Sequence, residues 1–253
     1  MRDQQHTRTY YERQLRELKD RLLIMSSQAE SMISDSIRSF VDRRPTLAAE
    51  VIERDDEMDR LEIEIDDLCY EILALEQPVA CDLRFIATAL KIVKDLERIG
   101  DIAVNIAERV LELVQEPEWK RPIDLQIMAD AAQKILKESL DAFVNSDAEL
   151  AEKIVLKDKL VDAMYEQTFR KALSYMLEDP RSISRALKLI FIAKHLERVG
   201  DHAANIAEMV VFLVRGQDIR HRTHLAGFPH SHCDNNTGTK RQGGDQADRR
   251  LDT

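Results

Sequence analysis

The chain has 253 residues, of which 33% are charged and only 5% aromatic, and its formal net charge is −10. It contains 7 glycines where average usage predicts roughly 18, which argues against Gly-rich phosphate loops and sheets with many tight turns. The acidic charge argues against nucleic acid as a partner, because such binding depends on basic side chains that neutralise phosphates. The composition instead predicts long helices packed through aliphatic side chains.

Prolines divide most of the chain into six predicted helices. Between the prolines, apolar residues recur at three- and four-residue steps, which is the periodicity of amphipathic helices. Pro45, Pro78, Pro122 and Pro180 lie where this periodicity breaks, as expected of a residue tolerated only in a first helical turn. The predicted helices cover 12–43, 47–76, 79–115, 123–145, 149–178 and 181–215. Because the connections are short, neighbouring helices should be antiparallel.

The sequence contains an internal repeat. Residues 25–59 align with 128–162 at an offset of 103, and residues 94–108 align with 194–208 at an offset of 100. In the second pair, 11 of 15 positions are identical, whereas chance would give about one. Each half of the chain therefore repeats the same unit of three helices.

The repeat predicts an all-α fold of two tandem, pseudo-symmetric three-helix bundles. We place these bundles at 10–116 and 122–216, with a disordered C-terminal tail at 217–253. The tail holds four of the seven histidines and few large apolar residues. It cannot bury enough apolar surface to offset the entropy lost on ordering.

The repeat also preserves four acidic residues in each half, two on each of two neighbouring helices. They are Asp55, Asp59, Glu97 and Asp101 in the first half and Asp158, Asp162, Glu197 and Asp201 in the second. Because the two helices form an antiparallel hairpin, the four acids of each half should lie at similar heights. Like charges one turn apart destabilise a helix, and a bound cation would compensate.

We therefore predict two metal sites, one in each acidic cluster. Oxygen-rich sites suit divalent or iron-group ions, with Fe, Mn, Mg or Zn as candidates. The alternative is that both clusters are simply solvated helix faces. No catalytic nucleophile–base pair and no other cofactor motif is recognisable in the sequence.

Four further residues of the repeated segment have two interpretations each. Gly100 and Gly200 either allow a neighbouring helix to approach closely or leave room for a ligand beside the acids, and the sequence does not separate these readings. His195 and His202 differ from the residues at the equivalent positions of the first copy. We expect both histidines to lie on the surface rather than to bind metal.

Two segments resemble the paired signatures of the PhoU family of bacterial phosphate-uptake regulators. They are DLERIGDIAVNIAER at 95–109 and HLERVGDHAANIAE at 195–208, and QPVACDLR at 77–84 is similar to the family's hairpin motif. The resemblance covers about residues 10–215. It implies two three-helix bundles and a non-enzymatic negative regulator of phosphate uptake and of the phosphate-starvation response.

The resemblance also implies partners. In the PhoU family the regulator is an adaptor between the phosphate ABC transporter, through its ATPase subunit, and a sensor histidine kinase, and members often form homodimers. Family members carry E(D)xxxD pairs that hold metal ions. Here those pairs correspond to Asp55/Asp59 with Glu97/Asp101 and to Asp158/Asp162 with Glu197/Asp201.

The sequence also predicts a localisation and leaves two other functions open. The N-terminus lacks the apolar core of a signal peptide, and the longest apolar run is too short to span a bilayer. We expect a cytoplasmic protein that reaches membranes only through its partners.

A metal-carboxylate enzyme of the ferritin type stays open as an alternative function, although the sequence lacks the Glu-x-x-His element of that class. A purely structural helical adaptor, whose acids bind a basic partner, also stays open.

Overall fold

The computed structural model describes residues 2–116, 123 and 125–219, and within them the fold is all helical. The helices are α1 Arg2–Val41, α2 Pro45–Glu53, α3 Asp55–Leu75, α4 Ala80–Val114, α5 Leu125–Asn145, α6 Ala148–Glu178 and α7 Ile183–Arg215, and a 3₁₀ turn spans Pro180–Ser182. The all-α prediction is confirmed. In the described part of the chain, no helix is long and apolar enough to cross a membrane.

The predicted helix at 47–76 is divided into α2 and α3 at Arg54. Arg54 keeps a nearly helical backbone, with φ −78° and ψ −9°. Its guanidinium Nη2 donates a 2.7 Å hydrogen bond to Oδ2 of Asp35 on α1. Apolar residues continue through the break, so periodicity alone could not reveal it.

One continuous hydrophobic core joins the two halves of the chain. Helix α1 packs against α2, α3 and α4, while α5, α6 and α7 pack against one another. The two groups meet where α4 contacts α7 and α1 contacts α5. Leu96 and Ile106 of α4 and Val210 of α7 are fully buried. Helices α4 and α7 therefore lie at the centre, and the predicted division at 10–116 and 122–216 remains a prediction.

The end of α7 extends the core beyond its predicted limit. Gly216 adopts a left-handed conformation with φ +70°, and its N–H donates to the carbonyl of Phe212 at 2.8 Å, which is a common way to end a helix. Ile219 then packs, partly buried, against the core. One residue of the predicted disordered tail at 217–253 therefore packs against the core. Residues 220–253 of that tail lie outside the described residues.

Candidate metal centre

The acidic residues of the second half lie on the outer face of the α6–α7 hairpin, where three of them converge. One carboxylate oxygen from each of Asp158, Asp162 and Asp201 lies within 4.8 Å of the other two. Asp158 and Asp162 are one turn apart on α6, and Asp201 faces them from α7. Three carboxylate oxygens from two rigid helices form a partial ligand set for a hard cation, to which water adds the remaining ligands.

Asp158 has the most strongly raised pKa in this cluster. Burial, together with the charges of Asp162 and Asp201, raises its pKa to about 6. Its Oδ1 atom is buried and has no hydrogen-bond partner within the described structure. Burial also raises the pKa of Asp201, to which Glu197 and Asp162 contribute. An unpaired, buried carboxylate oxygen is costly, and a cation would satisfy it.

Glu197 borders the second cluster without belonging to the converging triplet. It is ion-paired with Lys194, whose Nζ donates a 2.6 Å hydrogen bond to Oε1. The same ammonium lies over the ring of Tyr165, 5.3 Å from the ring centroid. Lys194 therefore supplies one positive charge at the edge of the cluster, next to the oxygens that a metal ion would use.

The first cluster lies on the outer face of the α3–α4 hairpin and contains a residue that the repeat did not predict. Carboxylate oxygens of Asp59, Glu62 and Glu97 lie within 4.8 Å of one another. Glu62 follows Asp59 by three residues and so shares its helix face. The residue equivalent to Glu62 in the second copy is Tyr165, so a search for acids present in both copies could not find it.

Glu97 of the first cluster shares two features with Asp158 of the second, namely a raised pKa and a buried oxygen without a hydrogen-bond partner. Burial and the charge of Asp101 raise the pKa of Glu97 to about 7, although Arg98 opposes the increase. Its Oε2 atom is buried without a hydrogen-bond partner among the described residues. The carboxyl group with the highest proton affinity in the first cluster is thus also the one with an unsatisfied oxygen.

Asp55 and Asp101 border the first cluster but lie outside its triplet. Arg98 Nη1 donates a 2.7 Å hydrogen bond to Asp101 Oδ2, so this arginine pairs with an acid on its own helix. Burial raises the pKa of Asp55, and the charges of Asp59 and Asp101 add to the effect. The first cluster is therefore a triplet surrounded by two further carboxylates, and a local arginine neutralises one of these.

The two in-helix glycines differ in what they accommodate. A Cβ atom added at Gly200 would lie 2.8 Å from Asp158 Oδ1, closer than real Cβ contacts allow. A Cβ atom added at Gly100 would meet only the Met58 side chain, at 3.4 Å or more. Gly200 therefore makes room for a carboxylate of the acidic cluster, whereas Gly100 allows ordinary packing between helices.

The prediction that the two histidines lie on the surface is wrong. His202 Nδ1 lies 2.9 Å from Asp95 Oδ1 on α4, and the two side chains are only 18% and 17% exposed. Asn205 donates to the same oxygen at 3.3 Å. His195 is half-buried, and burial, together with two nearby arginines, lowers its pKa to about 4. A helical wheel drawn for a single bundle does not include the α4–α7 contact, in which His202 takes part.

The fold and these clusters define an internally repeated helical protein with two acidic, outward-facing patches. The chain belongs to the PhoU family, because residues 22–110 and 125–210 match the PhoU domain. The match includes both predicted signatures and both acidic clusters.

Similar proteins cover most of the chain. The phosphate-specific transport system accessory protein PhoU homolog of Pseudomonas aeruginosa is 42% identical over 217 residues, covering 85% of this chain and 90% of that protein. The Escherichia coli accessory protein PhoU is 34% identical over 216 residues, covering 85% of this chain and 90% of its own length. These relatives are named as accessory proteins of a transport system.

Two crystal structures share the fold. PhoU from Pseudomonas aeruginosa superimposes with a TM-score of 0.80 at 42% identity, covering 82% of this chain and 100% of the other. The phosphate transport system regulatory protein PhoU from Streptococcus pneumoniae gives a TM-score of 0.77 at 28% identity, covering 83% and 99%. The helical fold of this chain is thus shared with PhoU proteins of both bacteria.

Proposed function

We propose that the protein is a non-enzymatic negative regulator of phosphate uptake and of the phosphate-starvation response. It acts as an adaptor in the cytoplasm, between the ATPase subunit of a phosphate ABC transporter and a sensor histidine kinase. The observation that carries the proposal is the family membership, since the relatives are named as accessory or regulatory proteins of phosphate transport. The proposed adaptor works as a homodimer and reaches the membrane only through its partners.

Co-purification from the native host tests the adaptor role. The affinity-tagged chain is recovered from cells grown in abundant phosphate, and proteins retained with it are identified by mass spectrometry. The proposal expects enrichment of the transporter ATPase and of the sensor kinase relative to a tagged, unrelated helical protein. Absence of both partners after chemical crosslinking would contradict the adaptor role.

We further propose that each acidic cluster binds a divalent or iron-group metal ion. The central ligands are Asp59, Glu62 and Glu97 in the first cluster and Asp158, Asp162 and Asp201 in the second, with Asp55, Asp101 and Glu197 at their borders. Support comes from the convergence of three oxygens in each triplet and from the buried, unsatisfied oxygens of Glu97 and Asp158. A bound cation would neutralise carboxylates that now repel one another.

Elemental analysis after mild chelation tests this assignment. The comparison is between the wild type, a double variant that removes one ligand oxygen per cluster, Glu97→Gln with Asp158→Asn, and a matched control, Asp67→Asn with Glu166→Gln. The control acids are exposed on α3 and α6 but lie outside both triplets. Loss of metal only in the first double variant is expected. Equal metal content in all three proteins would contradict the assignment.

A second candidate is a structural adaptor whose acids bind a basic partner without metal. The observation that favours it is that each cluster already pairs with a lysine, Lys94 with Glu62 and Lys194 with Glu197. A basic partner could extend this pattern of ammonium–carboxylate pairs. Metal-free wild-type protein that still captured its partners at full affinity would favour this candidate over the metal-bearing regulator.

A further inference from the structure

An apolar stripe on the α6–α7 hairpin is exposed to solvent in the described structure. It consists of six large side chains, each between 43% and 79% exposed: Phe169, Leu173, Leu177, Ile183, Leu187 and Phe191. The first three recur every fourth residue on α6, and the last three recur every fourth residue on α7. Residues four apart lie on one helix face, so each helix contributes one continuous row.

The two rows lie side by side on one face of the hairpin. Helices α6 and α7 are antiparallel about the turn at 179–182, so Leu177 lies at about the height of Ile183 and Leu173 at about that of Leu187. On a helical wheel Leu173 lies about 20° from Asp162, and Ile183 coincides with Asp201. Both rows therefore share the outer face that carries the acidic triplet, nearer to the turn.

The equivalent face in the first half of the chain is less apolar. At the offsets of the repeat, Phe169 corresponds to Asp66, Leu187 to Ala87 and Phe191 to Lys91. Leu173 and Ile183 correspond to Tyr70 and Leu83, which are also exposed apolar side chains. The full stripe is therefore not required by the three-helix unit itself, because one copy folds with only two of its six large apolar side chains. Six apolar side chains of this size, each about half exposed, present on the order of 500 Å², similar to the largest patch on a typical monomer.

We infer that this stripe is the surface through which two copies of the chain associate. A two-fold axis near Leu173 and Leu187 would place two hairpins face to face as a four-helix bundle and bury the stripes of both copies. The apolar area is then counted twice and reaches about 1,000 Å², the size at which specific interfaces begin. A self-complementary patch of this kind is what an isologous dimer requires.

The charges around the stripe favour a second copy over a strongly basic or acidic partner. Glu166 and Arg170 flank one end and form an ion pair of 2.9 Å. Glu178 and Arg181 flank the other end, near the turn. Because both signs occur at both ends, the border neither selects for one sign of charge nor repels an inverted copy of itself. The acidic triplet lies beyond the paired segment and stays open.

Sedimentation velocity of the purified full chain over a range of concentrations tests the inference. The wild type should reach twice the chain mass of 29.2 kDa, and Leu173→Glu with Leu187→Glu should remain monomeric. The matched control, Tyr70→Glu with Ala87→Glu, changes the equivalent face of the first half and should stay dimeric. Circular dichroism and thermal melting show whether each variant is folded.

A photocrosslinking residue provides a test without disruptive charge. p-Benzoylphenylalanine in place of Leu173 should yield a covalent dimer on irradiation, whereas the same residue in place of Tyr70 should not. A monomeric wild type, or a dimer that persists in the folded Leu173/Leu187 variant, would overturn the inference. The inference assigns a surface to the homodimer of the proposed function, but its test uses purified protein alone. Its failure is therefore separable from a failure of regulation or metal binding.

Discussion

At the level of single residues, the contrast between Gly200 and Gly100 gives a matched pair of tests. Gly200→Ala should weaken Mn²⁺ binding at the second cluster by about tenfold or more, because the new methyl group displaces the Asp158 carboxylate. Gly100→Ala should leave Mn²⁺ binding unchanged and stabilise the fold by up to about 1 kcal/mol, since Ala favours helix and the Met58 side chain tolerates the methyl. Isothermal titration and thermal melting measure both effects.

Two outcomes would contradict this view of the glycines. Equal Mn²⁺ affinity in both variants would mean that the position of Asp158 does not control binding. A large fall in stability on Gly100→Ala would mean that the α3–α4 contact at Met58 is tighter than the structure indicates.

Glu97 makes the stability of the metal-free protein depend on pH. Its pKa rises from 4.5 to about 7 on folding, so the folded state holds this proton more tightly than the unfolded state. The resulting stabilisation is complete below about pH 4.5 and is lost as pH rises through 7. Glu97→Gln should therefore match the wild type at pH 4.5 but be more stable at pH 8, by on the order of 2 kcal/mol.

Thermal melting of chelated protein between pH 4.5 and 8 measures this difference. Asp67→Asn, which removes an exposed acid of α3 outside the triplet, is the control and should follow the wild-type curve. In saturating Mn²⁺ the order at pH 8 should reverse, because Glu97 is then a ligand. A Glu97→Gln difference that is constant across the whole pH range would contradict the elevated pKa.

At the level of elements, the contact between α4 and α7 combines the apolar core with a polar cluster around Asp95. Asp95 Oδ1 on α4 lies 2.9 Å from His202 Nδ1 and accepts a 3.3 Å hydrogen bond from Asn205, both on α7. Asp95→Ala should lower the free energy of unfolding by about 1–2 kcal/mol, because it leaves the partly buried His202 ring without its carboxylate partner. Chemical denaturation measures this change, with Asp67→Ala as the exposed control. A loss no larger than that of the control would show that the Asp95 cluster does not help to join the halves.

Helix positions were predictable because apolar periodicity and prolines are local signals. The Arg54 break was not, since the apolar pattern continues through it and the partner of Arg54, Asp35, lies on a different helix. Of the residues in the two acidic triplets, the repeat identified all but one: Asp59, Glu97, Asp158, Asp162 and Asp201. It could not identify Glu62, whose counterpart is a tyrosine, because the second copy has no matching acid.

The contacts of the two histidines were not predictable for a related reason. Periodicity within one bundle defines which face of α7 meets α5 and α6, but not which face meets α4 of the other half. The acidic counterpart of His202, Asp95, lies 107 residues away in the chain. Such pairs depend on how the halves pack together, and no local pattern records that arrangement.

At the level of the whole molecule, two truncations separate the core from the predicted tail. A chain that ends after Ile219 should melt at the wild-type temperature, since the composition of 220–253 predicts that it buries little apolar surface. A chain that ends after Arg215 also loses Ile219, which packs against the core. That shorter chain should melt about 2–4 °C lower. A large loss in the longer truncation would show that 220–253 contributes to folding.

The most direct test of the regulatory role is a phosphate-starvation reporter in the native host. Deleting the gene should switch the reporter on in phosphate-rich medium, because a negative regulator has been removed. Restoring the wild-type chain should switch it off again, whereas a control plasmid without the gene should not. A reporter that stays off in the deletion strain, with phosphate uptake unchanged, would contradict the account.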